Sequence, residues 1–166
     1  MDTTVKVKEL DIISIHEQVD EIIFNNIDTA ANYQDAYKVL AQKLDEVLQF
    51  LKRYLQANKL DVPPSNTYWT LFAGLVSKLM YFKAYTMWKL DHGKVEEMKD
   101  LFIASACVLP NKETEAAEEI LEDISANYDV FQKEKQLTPV VNLHDDVLEK
   151  KLTTTQCLTH IAQKLL

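Results

Sequence analysis

The sequence predicts an all-α fold, a helical bundle or short array of α-α hairpins with about six helices around a buried central helix at 66–90. Three observations predict it. Only two glycines and four prolines occur in 166 residues, too few turn formers for a sandwich or barrel. Apolar residues recur at helical spacing through most of the chain. Residues 65–90 are apolar or aromatic on nearly every side, and such a helix must be surrounded. With 47% hydrophobic and 27% charged residues, the chain has the composition and length of one domain over 1–166, with 132–166 as a C-terminal appendage.

The first helix is marked by Ser14 and Glu17, a capping-box pair, with Ile12, Ile15, Val19, Ile22 and Ile23 as its stripe, and it is expected to end at Asn25 or Asn26. The second runs from about Asn32 to Asn58. Its Tyr33, Tyr37, Leu40, Leu44, Val47, Leu51 and Leu55 alternate steps of three and four. Asp61-Val62-Pro63-Pro64 stops it, because proline disfavours helical geometry in the residue before it. Ser65 or Asn66 then caps the central helix, which forms an antiparallel hairpin with the second. That helix carries Trp69, Phe72, Leu75, Val76, Leu79, Met80, Phe82, Tyr85 and Trp88, and Gly74 within it is expected to admit a close helix neighbour.

Leu90-Asp91-His92-Gly93 ends the central helix, with Gly93 as the expected left-handed cap. A fourth helix spans about Val95 to Val108 and stops before Pro110. The fifth starts near Thr114 and places Ala117, Ile120, Leu121, Ile124, Tyr128 and Phe131 on its apolar face. Thr138-Pro139 reads as a cap followed by proline at a first helical position. A last helix is expected over about Thr154 to Leu166.

Charge and residue usage exclude several functions. A net charge of −8 opposes phosphate binding, so no nucleic-acid partner is expected. Arg53 is the single arginine, and guanidinium recognition of anions therefore has little to build on. Two glycines cannot form a phosphate loop. Charges interrupt every stretch long enough to cross a bilayer, the central helix carrying Lys78, Lys83 and Lys89, so no membrane insertion is expected. The first residues lack the apolar region of a signal peptide, and Cys107 and Cys157 are too far apart in sequence to suggest a disulfide framework. A cytoplasmic protein is the expectation.

The run from Gly93-Lys94-Val95-Glu96-Glu97-Met98 through Phe102 and Ser105 to Pro110-Asn111 resembles the second half of a tetratricopeptide repeat, with Tyr81 to Leu90 as the preceding helix. The resemblance covers about 81–111. It departs from the family in the longer turn at Lys89 to Gly93, and a second copy is not evident. The order of a tryptophan, Tyr81-Phe82-Lys83-Ala84, a glycine-started helix and a downstream acidic helix is similar to the helical core of Bro1-type scaffolds, whose complete domain is much longer.

Candidate chemistry is sparse. Helical metal sites of the carboxylate-bridged kind need Glu-x-x-His pairs, which are absent. His92 four residues before Glu96 lies in a turn, and His144-Asp145-Asp146 lacks helical spacing, so no metal or cofactor is assigned. Cys157 and His160 share a helical face, yet nothing nearby offers an oxyanion site, and no catalytic residue is assigned. Glu115, Glu118, Glu119, Glu122 and Asp123 form an acidic face on the fifth helix. Such a row is commonly just solvated, with its early carboxylates complementing the helix dipole; its functional role would be docking a basic protein partner. Tyr81, Tyr85 and Trp88 could line a groove for a partner, although core packing is the plainer role.

These features point to a non-enzymatic protein-interaction module, an adaptor, scaffold or inhibitor using a helix-lined groove or the acidic face. The alternatives are a small-ligand carrier or enzyme with an internal cavity, and a self-associating homo-oligomeric subunit that pairs through the heptads of the second helix.

Overall fold

A computed structural model of the protein describes residues 8–29, 31–63, 66–150 and 153–165. These residues are all-helical. The α-helices are α1 (Ile12–Ile22), α2 (Tyr33–Ala57), α3 (Thr67–Lys89), α4 (Val95–Val108), α5 (Glu115–Lys135), α6 (Leu143–Lys150) and α7 (Thr154–Leu165), and a π-helical segment, Ile23–Asp28, prolongs α1. None of the described helices is long and apolar enough to cross a membrane.

The central post is α3, with twelve buried residues distributed around its circumference. Its first half, including Trp69, Phe72, Leu75 and Leu79, enters a cluster with Phe50 and Leu51 of α2, Val19 of α1 and Leu158 of α7. Its second half, through Tyr81, Ala84 and Met87, enters another with Phe102 of α4, Phe131 of α5 and Val147 of α6. Each large side chain so buried contributes about 1.5–3 kcal/mol. The two buried polar residues of α3 are both satisfied. Ser77 Oγ donates to Ser105 O at 2.7 Å and Thr86 Oγ1 to Phe82 O at 2.9 Å.

Caps explain where the helices begin. Asn66 Oδ1 accepts from Tyr68 N at 2.8 Å and Thr114 Oγ1 from Ala117 N at 3.3 Å. A reciprocal box opens α7, where Thr153 Oγ1 accepts from Gln156 N and Gln156 Oε1 from Thr153 N. Asn32, where the second helix was expected to begin, caps α2, its Oδ1 accepting from Asp35 N. Residues Ser65, Pro64 and Leu166, which entered the expected boundaries, lie outside the described residues, as do residues 1–7.

Several expectations are corrected. The cap of α1 is Asp11, whose carboxylate accepts from Ser14 N at 3.1 Å, so Ser14 lies inside the helix. The left-handed residue after α3 is Asp91 (φ 56°), while Gly93 has no positive φ. A side chain at Gly74 would meet only Pro110 Cγ at 3.9 Å, an ordinary contact, so no close approach requires glycine there. Ile120 is 50% exposed, off the buried face of α5.

No helix starts at Pro139. Buried Gln132 instead holds the segment flat against α5, with its amide donating to Val141 O at 2.8 Å and accepting from Val141 N at 2.7 Å. The chain becomes helical only after Asn142, whose side chain accepts from Asp145 N.

Candidate functional site

The acidic row of α5 is fully outside: Glu115, Glu118, Glu119, Glu122 and Asp123 are all exposed. Helical geometry divides it. Ala116, Ala117, Ile120, Asp123 and Ile124 form one side of a half-open groove of about 450 Å³, and Gly74, Ser77, Lys78, Tyr81 and Phe82 of α3 form the other. Leu109 and Pro110 contribute from the turn after α4, and His16 from α1. The walls are mostly apolar, and exposed Ile120 stands between Ala116 and Asp123 on the groove stripe.

The groove has fixed polar edges. Lys78 Nζ pairs with Asp20 Oδ1 at 2.6 Å, and a ring nitrogen of His16 meets Leu71 O at 3.2 Å. Tyr81 OH accepts from Asn127 Nδ2 at 2.8 Å. Burial, reinforced by the nearby Asp123 carboxylate, pushes the Tyr81 phenol well above its usual range, so it stays neutral.

The aromatic candidates are placed unequally. Tyr81 is buried, and Tyr85 and Trp88 are half-buried. Trp88 packs edge-on against Phe102 and Phe131 and its indole N–H donates to Glu134. Lys89 Nζ lies 4.7 Å from the Trp88 ring centre and 5.3 Å from that of Tyr85. Only Tyr81 of these three reaches the groove.

On the other side of α5, Glu118 and Glu122 meet His144 of α6, their nearest ligand atoms lying within 4.8 Å of one another. The sequence sets His144 beside Asp145 and Asp146, and the structure groups it instead with glutamates of another helix. The only signal was the four-residue spacing of the two glutamates, and nothing in the sequence places α6 against them.

A second half-open groove, of about 610 Å³, lies between α4 and α7, lined by Ile103, Ala104, Cys107, Cys157, His160 and Ile161 among others. Fifty residues apart in sequence, the two thiols hydrogen-bond to each other, and that bond with burial pushes Cys157 far up from its usual value. A thiol kept protonated is a poor nucleophile. His160 is exposed while Cys157 is buried, and the close partner of Cys157 is Cys107. Beside them Lys112 donates to Cys107 O at 2.8 Å, and burial lowers its pKa.

No protein-family model, curated protein or solved structure matches this chain.

Proposed function

We propose that this chain is a non-enzymatic protein-interaction module, an adaptor, scaffold or inhibitor, that receives its partner in the groove between α3 and α5. The observation that carries this reading is the apolar groove with Ile120 half-exposed in its wall and Asp123 beside it. An apolar side chain seated against Ile120 would remove hydrocarbon from water, while a basic group beside it would meet Asp123 and the exposed Glu119. The partner is therefore a segment with apolar anchors and flanking lysines or arginines. With a net charge of −8, the chain's field would speed its encounter with that partner.

The likeness of 81–111 to a tetratricopeptide helix pair belongs to the same reading. Tyr81, Phe82, Leu109, Pro110 and Asn111, all within that stretch, line the groove. The hydrogen-bonded pair of thiols suits a reducing, cytoplasmic setting. By contrast, the heptad stripe of α2 is largely committed to the core, with Leu40, Leu44, Val47, Leu51 and Leu55 all buried. Self-association would need another surface.

Ile120→Glu tests the groove directly, because the residue is exposed and its replacement leaves the core intact. A stoichiometric partner captured by the wild-type chain should be lost with Ile120→Glu and kept with Val130→Glu, an equally exposed site outside the groove. Equal capture by all three chains refutes the groove.

A second reading, a carrier of a small apolar ligand, is favoured by the larger groove between α4 and α7. It predicts a small molecule in the organic extract of the purified protein.

A further inference from the structure

We infer that Glu118, Glu122 and His144 form a binding site for one divalent cation of the zinc class, joining α5 to α6. One ligand atom from each residue lies within 4.8 Å of the other two. In a tetrahedral site with metal–ligand bonds of about 2.0–2.1 Å, donors stand about 3.4 Å apart. The difference is within the reach of two exposed glutamate side chains, whose rotamers are open to change.

The histidine separates this set from an ordinary acidic patch. His144 Nε2 is enclosed and has no hydrogen-bond partner among the described residues, an arrangement that costs free energy unless something occupies the lone pair or takes the proton. Nδ1 faces Asp145 Oδ1 at 3.6 Å. A carboxylate beside one imidazole nitrogen, with the other left for the metal, is the usual way of orienting a metal-ligating histidine. Ser125 follows Glu118 and Glu122 on the same helical stripe, and its hydroxyl is also enclosed without a partner among the described residues.

Chemistry selects the cation. Two carboxylates and an imidazole suit zinc or a similar first-row ion, whereas magnesium and calcium prefer oxygen alone. The two carboxylates, which repel each other at a four-residue spacing, would balance a charge of 2+. Three protein donors leave one tetrahedral position for water. The site lies on the stripe of α5 away from the groove, so its presence or absence is separable from partner binding.

The untagged full chain, freed of metal by chelator, should be titrated calorimetrically with Zn²⁺ and followed in the visible spectrum with Co²⁺. The expected result is one equivalent of Zn²⁺ and the absorption of a low-coordinate Co²⁺ centre, with no heat from Mg²⁺. His144→Ala and Glu122→Gln should each weaken binding by about tenfold or more, since even outer-shell partners of a metal cost that much. Asp123→Asn should bind like the wild type. The inference is overturned by the absence of saturable binding, or by affinity unchanged in either ligand variant. Glu122 is exposed, so Glu122→Gln keeps the test decisive even where His144→Ala disturbs α6.

Discussion

Tyr128 is almost fully enclosed, yet its hydroxyl has no hydrogen-bond partner among the described residues. A buried polar group left unpaired is a cost, so Tyr128→Phe should raise stability by about 1 kcal/mol, read as a higher urea midpoint at constant slope. Titration adds a second expectation. Burial raises the phenol of Tyr68 to about 12, and it also raises those of Tyr81, Tyr85 and Tyr128. The Cys157 thiol is raised by its bond to Cys107 and by burial. In each case the folded state holds its proton more tightly than the unfolded chain, whose thiols and phenols ionise near 9.0 and 10.0. Their stabilisation is whole below those values and is lost as pH rises toward the folded ones. Lys112, lowered by burial, acts in the opposite sense and offsets part of this loss. The urea midpoint should fall as pH rises from about 9 toward about 12.

Gly74 shows how an element can be judged once its surroundings are known. Glycine in a helix interior costs about 0.5–1 kcal/mol relative to alanine, and an added Cβ would meet only Pro110 Cγ at 3.9 Å. Gly74→Ala should therefore stabilise α3 by about that amount, measurable in thermal unfolding. The all-round apolar character of 66–90 made α3 and its burial legible, the steps of three and four did so for α2, Gly93 and Pro110 bracketed α4, and Thr114 with an apolar face marked α5. The π-helical turn of Ile23–Asp28 and the start of α6 were not legible. The start of α6 follows the grip of Gln132 on Val141, nine residues away, which no helical periodicity announces. The acidic row of α5 was readable from spacing alone. Its division between a groove on one side and His144 on the other depends on how α5 is rotated against α3 and α6. That rotation follows from packing of Leu121, Ile124, Tyr128 and Phe131, which leaves Ile120 outside. Cys107 and Cys157 meet only because α7 docks beside α4, and no local pattern announces that.

Two apolar clusters share α3, and partly buried Phe82 and Leu101 pack against both. In the groove between α3 and α5, Tyr81 is held by Asn127 and Lys78 by Asp20. The apolar wall with exposed Ile120, flanked by Asp123, is the basis for the proposed binding role. Placing a photo-crosslinking amino acid at position 120, with a second chain labelled at position 130, and irradiating each in native extract tests that role most directly. One crosslinked species of defined mass is expected from position 120, diminished by moderate salt because Asp123 and Glu119 take part, and none from position 130. Absence of a product at position 120, or the same products from both positions, would contradict that role.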